Sequence, residues 1–123
     1  MNKSFEFFDE LYNAHVVFYV GSFENGDKYF KNLCNVGLPH EKIGAQGFCG
    51  MLTDKEKENY IFMFWIIDVP KTVQEFIWII HELNHLAFSI LEKVGVEGEE
   101  AHCYYHGWLI KKFINMTKMK GLK

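Results

Sequence analysis

The stretch that decides the fold is "TVQEFIWIIHELNHLAFSILEKVG", residues 72–95. Its apolar residues recur at spacings of three and four, which predicts one long amphipathic helix. Thr72 is suited to cap the start of this helix, and Gly95 is suited to end it. The face expected to pack against a sheet comprises Phe76, Ile80, Leu83, Ala87, Ile90 and Val94.

Two histidines and a carboxylate interrupt this apolar helix. His81 and His85 are four residues apart, so their side chains lie one turn above the other. Polar side chains in apolar surroundings cost free energy unless something pairs with them. Two imidazoles so placed can bind one tetrahedral zinc ion, and Glu82, about 100° round the helix, could act on a metal-bound water as general base. This is the HExxH arrangement.

A further helix is predicted from "EEAHCYYHGWLIKKFINM", residues 99–116, after a glycine turn. Because a catalytic zinc takes three protein ligands and one water, Glu100 is the predicted third ligand, with Glu99 as the alternative. The helical face that contains Glu100 also contains Tyr104 and Gly107, and Gly107 would allow close approach to the first helix.

His102 and His106 form a second pair with a spacing of four. They lie about 200° and 240° round their helix from Glu100, so they are not expected to bind the same metal. The pair is expected to face solvent or a boundary, with a substrate contact by His106 as the alternative.

The residues before the long helix predict strands and one shorter helix. We predict a short helix at the N-terminus, strands at residues 14–21 and 59–68, and a helix at residues 25–37 that starts near Asn25 or Asp27 and stops at Gly37. The glycine-rich residues 43–52 predict a glycine-rich strand or an irregular edge, and the charged residues 53–59 predict an exposed turn. The strand at residues 59–68 should be buried on both faces, because its apolar residues do not alternate with polar ones.

This order of elements predicts a single α+β domain over residues 1–123. We expect a small sheet of three strands, or slightly more, packed against the long HExxH helix and the following glutamate-bearing helix. No repeat, linker or low-complexity tract divides the chain.

Composition excludes several classes of protein. The formal net charge is -3, which gives no reason to expect binding to nucleic acid or to an anionic membrane. Three widely spaced cysteines form no CxxC pair, so a disulfide framework and a cysteine zinc cluster are not expected. The N-terminus lacks the pattern of a secretory signal, and the apolar run at residues 61–67 is too short to span a bilayer. These features predict a cytoplasmic protein.

The motifs "HELNH" and "EEAHCYYHGWL" resemble those of the zincin metallopeptidases, and among them the gluzincins, whose HExxH helix is followed by a helix that donates a glutamate. In so short a chain the combination is also similar to small zincin-like proteins of bacteriophages and prophages. The resemblance covers residues 60–114. It implies zinc as cofactor, with His81, His85 and Glu100 as ligands and Glu82 as general base and acid.

The function expected from these motifs is a minimal zinc metallopeptidase that acts on a peptide or protein substrate. Zinc-activated water would attack the peptide carbonyl, with Glu82 moving the proton. Tyr104, Tyr105 and His106 are candidate donors to the oxyanion. An extended peptide could pair with the sheet edge at residues 47–52.

Two other functions stay open from the sequence. One is a zinc-stabilised binding or regulatory protein of phage origin that performs no turnover. The other is an apolar helical interaction module without metal, for which His81 and His85 would be replaceable.

Overall fold

The computed structural model describes residues 2–54, 59–119 and 122. The chain divides into two compact units, Met1–Asp68 and Val69–Lys123. We call them the sheet unit and the helical unit. The single-domain organisation expected from the sequence stays a prediction.

The sheet unit contains a four-stranded mixed sheet in the order β1-β2-β4-β3. β1 pairs antiparallel with β2, β2 pairs parallel with β4, and β3 pairs antiparallel with β4. A helix, α1, lies between β2 and β3 in the chain, as a crossover to a parallel strand requires. The bounds are β1 Lys3–Asp9, β2 Ala14–Val20, α1 Phe23–Cys34, β3 Gly47–Asp54 and β4 Asn59–Ile66, with a short 3-10 helix at His40–Lys42.

The predicted N-terminal helix is wrong, because these residues form β1. Phe5 and Phe7 are half-buried, and the polar residues Ser4 and Glu6 beside them are exposed, which is the period of two that characterises a strand. A turn at Asn13, with φ 53°, reverses the chain into β2. The sheet therefore has four strands, where three or slightly more were expected.

The two central strands are buried on both faces. Every residue from Ile61 to Ile66 is buried, which confirms the prediction for this segment. On one face, α1 packs over a cluster of side chains from β2, β3 and β4 that includes Tyr19, Leu52 and Trp65. Burial of each large apolar side chain stabilises the fold by roughly 1.5–3 kcal/mol.

Helix α1 starts and ends at other residues than predicted. Its N-cap is Ser22, whose hydroxyl accepts a hydrogen bond from Asn25 N, and it ends at Asn35 in the left-handed conformation. Gly37 has a different role from the predicted stop. A Cβ there would collide with Asp27 Oδ1, the atom that accepts a hydrogen bond from Leu38 N, so a larger residue would have to displace this carboxylate.

The edge position predicted for the glycine-rich segment is confirmed by β3, which ends the sheet. The exposed turn predicted at residues 53–59 lies partly outside the described residues, since 55–58 are not among them.

The helical unit consists of α2, Val73–Val94, and α3, Glu99–Thr117. Thr72 caps α2 through a hydrogen bond from Glu75 N, and Gly95 ends it at φ 76°, both as predicted. The buried side of α2 is turned slightly from the predicted face. Its buried residues are Ile79, Leu83, Leu86, Ala87, Ile90 and Leu91, whereas Val94 is exposed.

The fold is therefore α+β, with four strands and three α-helices among the described residues. None of the helices in the described part of the chain combines the length and the apolar character needed to cross a bilayer.

Candidate functional site

His81 and His85 do converge on α2. Their Nε2 atoms are 3.1 Å apart, and their rings meet edge to face with centroids 4.7 Å apart. Both residues are exposed, so the polar side chains of the motif are not buried in the apolar side of the helix. The pair satisfies itself, because one neutral ring can donate a hydrogen bond to the other.

The third zinc ligand is not in place. No three of the His, Cys, Asp and Glu side chains that the structure describes come together in a group that could hold a metal ion. Glu100 and Glu99 are both exposed in the first turn of α3. Two histidines alone do not make the three-ligand site of a catalytic zinc. The prediction of a zinc-binding metallopeptidase is therefore wrong, and so is its zinc-stabilised alternative.

The rotation of α3 about its own axis explains this outcome. His102 Nε2 lies 2.6 Å from Asn84 Oδ1, and His106 Nε2 lies 2.9 Å from the carbonyl oxygen of Ile80. These contacts turn the histidine side of α3 toward α2. Since Glu100 lies about 200° and 240° round the helix from the two histidines, it points elsewhere.

The face of α3 that was expected to approach α2 is in fact exposed. A Cβ added at Gly107 would meet nothing within 4 Å, so this glycine does not mediate a close approach. Tyr104 on the same face is 79% exposed. His102 and His106, expected at a boundary, are half-buried against α2.

The remaining candidate catalytic residues differ in how far they are buried. Glu82 is half-buried on α2. Tyr105 is buried, with its ring stacked on Trp108 at a centroid distance of 5.4 Å. The catalytic roles of Glu82 and Tyr104 stay predictions.

The helical unit contains a groove that was not predicted from the sequence. It has a volume of about 500 Å³ and lies at the end of the hairpin where α2 turns into α3. Its apolar surface includes Phe88, Leu91 and Val96, and His102 lies beside Phe88 with ring centroids 6.2 Å apart. We call this feature the hairpin groove.

Glutamates surround the hairpin groove. Glu92, Glu97 and Glu99 line it, and all three are exposed. None of them forms an ion pair with another residue of the described part of the chain. The groove therefore combines an apolar floor with an acidic rim.

The charge pattern that marks this groove is visible in the sequence. Residues 88–103 contain four glutamates and one lysine, whereas the whole chain contains 16 acidic and 13 basic residues. Removing this segment leaves 12 of each. The segment is thus locally acidic, although it is not the only acidic stretch, since residues 4–27 contain five acidic residues and no lysine or arginine.

Comparison of the chain with protein-family models, with curated proteins and with solved structures finds no match. The resemblance to zincins stays a prediction that rests on "HELNH" and "EEAHCYYHGWL" alone.

Proposed function

We propose that the chain is a protein-interaction module that binds a basic segment of a partner protein in the hairpin groove, with an apolar side chain of that segment as its anchor. The observation that carries this proposal is an apolar groove lined by Glu92, Glu97 and Glu99, with no lysine or arginine among its lining residues. Of the functions considered from the sequence, it is closest to the interaction module without metal.

The apolar floor supports binding of an anchor side chain. Phe88 is 56% exposed, and Leu91 and Val96 also line the groove. A volume of about 500 Å³ lies within the usual range of ligand pockets and accommodates one or two large side chains. Anchors of this kind provide most of the affinity in peptide recognition.

The acidic rim supports a basic partner. Lysine or arginine residues on either side of the anchor would approach Glu92 on one helix and Glu97 and Glu99 across the turn. Exposed charge pairs contribute about 0.2–1 kcal/mol each and mainly raise the association rate, so binding should weaken as salt concentration rises.

The test uses fluorescence anisotropy with a labelled amphipathic peptide built of leucine and lysine. We expect saturable binding that weakens in high salt, and no binding by a matched peptide with glutamate in place of lysine. Replacing Glu97 and Glu99 together with lysine should raise the Kd about tenfold, from about 0.7 kcal/mol per lost pair.

A matched variant separates the groove from general charge. Glu10→Lys with Glu41→Lys makes the same change of charge at two exposed positions of the sheet unit, and it should leave the Kd within about twofold of the parent value. Phe88→Ala tests the anchor and should also raise the Kd. Equal weakening by the two charge variants, or binding of the glutamate peptide, would refute the proposal.

A further inference from the structure

The outer edge of β3 presents backbone groups that point away from the sheet. Ile67 N donates a hydrogen bond of 3.0 Å to Gln46 O, and these residues face each other in the register that pairs Gly47 with Ile66. Because bonded and non-bonded pairs alternate along antiparallel strands, Phe48 and Gly50 bond to β4. The backbone groups of Gly47, Met51 and Thr53 therefore point outward.

The two edge strands of the sheet differ in the number of charged side chains that they contain. β1 contains Lys3 and Glu6, and charged side chains on an edge discourage pairing with another strand. β3 contains no charged side chain from Gly47 to Thr53, and its single charge, Asp54, is at its end. Asp54 is itself buried and accepts a hydrogen bond from Asn35 Nδ2. β3 is therefore the edge that is open to pairing.

We propose that β3 pairs antiparallel with β3 of a second copy of the chain, about a two-fold axis at Gly50. The outward positions are arranged symmetrically about Gly50, since Gly47 and Thr53 are each three residues from it. One register therefore joins Gly47 to Thr53 of the partner subunit and, at the same time, Thr53 to Gly47 of the partner subunit. This is the self-complementarity that an isologous interface requires.

The side chains fit this register. It places Phe48 opposite Leu52 of the partner subunit and brings the two Gly50 residues together at the axis. No like charges face each other along the paired residues. The ring of Phe48 lies against Gly50, where a Cβ would be 3.0 Å from Phe48 Cζ. The absence of a side chain at Gly50 therefore leaves room for this ring and for close approach of the two strands at the axis. The result is a continuous eight-stranded sheet.

The experiment measures the mass of the full chain in solution by light scattering and sedimentation over a range of concentrations. We expect a concentration-dependent species of twice 14.5 kDa. Met51→Pro should raise the dimer Kd at least about tenfold, because the Met51 N–H points outward and its loss spares the bonds to β4. Phe8→Lys, at a residue of β1 that is 56% exposed, is the control and should leave the dimer unchanged.

Cross-linking tests the register and does not depend on the behaviour of the proline variant. In a Cys103→Ser background, Met51→Cys would face the native Cys49 of the partner subunit at a Cα separation of about 5.5 Å, which suits a disulfide. Mild oxidation should give a covalent dimer, whereas Leu11→Cys in the same background should not. A chain that stays monomeric, or a dimer insensitive to Met51→Pro with no cross-link, would overturn the proposal. Neither result bears on the hairpin groove, which lies in the other unit.

Discussion

The four histidines of the helical unit are spaced alike but have different surroundings. His81 and His85 are exposed and contact each other, whereas His102 and His106 are half-buried and contact α2 through Asn84 and Ile80. A spacing of four fixes which residues share a side of a helix, but it does not say what that side faces. The structural histidines are thus those that the HExxH motif leaves out.

This difference predicts the effect of alanine substitutions on stability. His102→Ala and His106→Ala should each lower the free energy of unfolding by about 1 kcal/mol, because each loses a hydrogen bond between helices. The double variant His81→Ala with His85→Ala should change it by about 0.5 kcal/mol or less, because both side chains are exposed. Urea denaturation followed by circular dichroism at one pH measures all three. A larger loss in the His81 and His85 variant than in the others would contradict this account.

The side of α3 that packs could have been predicted from its apolar residues. Tyr105, Leu109 and Phe113 are buried and recur every four residues, and Glu100 lies about 140° round the helix from Tyr105. The prediction of Glu100 as a third zinc ligand placed the Glu100 face against α2 instead. That face is exposed because it lacks the apolar stripe that packing requires.

At the scale of elements, local signals predicted α2 well and β1 poorly. Helix α2 has a cap at each end and a long apolar period between them, so several independent signals agree. In β1, apolar and polar residues alternate over only a few positions. Two consecutive aromatic residues, Phe7 and Phe8, interrupt this alternation in the sequence, although in the structure Phe8 is exposed as the alternation requires. Its pairing with β2 overrides the weak local preference.

The N-terminus of α2 provides a test at this scale. The Thr72 hydroxyl accepts a hydrogen bond from Glu75 N at 3.0 Å, and Glu75 Oε2 accepts one from Lys71 N at 2.8 Å. We expect Thr72→Ala to lower the free energy of unfolding by about 1 kcal/mol, since it exposes a helix N–H group without a cap. Thr72→Ser keeps the hydroxyl and is the control. If both variants lose the same stability in urea denaturation, the cap is not the cause.

For the whole molecule, the two units carry different kinds of surface. The helical unit contains the acidic segment that lines the hairpin groove, and the sheet unit contains β3, which has no charged side chain from Gly47 to Thr53. The charge excess was readable from the sequence, but its meaning depended on Phe88, Leu91 and Val96 forming a groove beside it. The outward direction of the Met51 backbone N–H likewise depended on the hydrogen-bond register between β3 and β4, which composition does not determine.

The sheet unit also contains three titratable groups that resist ionisation. Burial, and to a lesser degree Tyr29, raise the pKa of Tyr19. Burial and the nearby Glu6 raise the pKa of Tyr29, against a hydrogen bond with Ser4 that lowers it, and burial raises the pKa of the Cys34 thiol. Each of these three side chains therefore keeps its proton to a higher pH in the folded protein than in the unfolded chain.

Alkaline pH should therefore destabilise the sheet unit. The contribution of these groups is complete below their unfolded pKa values of about 9–10, and it is lost as the pH rises through the higher folded values, because the unfolded chain then releases protons that the fold retains. Urea midpoints measured from neutral pH upward should stay level and then fall above about pH 9. In the variant Tyr19→Phe with Tyr29→Phe the fall should be shallower, while Cys103→Ser, at an exposed thiol, should follow the parent. An unchanged slope in the tyrosine variant would assign the alkaline loss to the lysines instead.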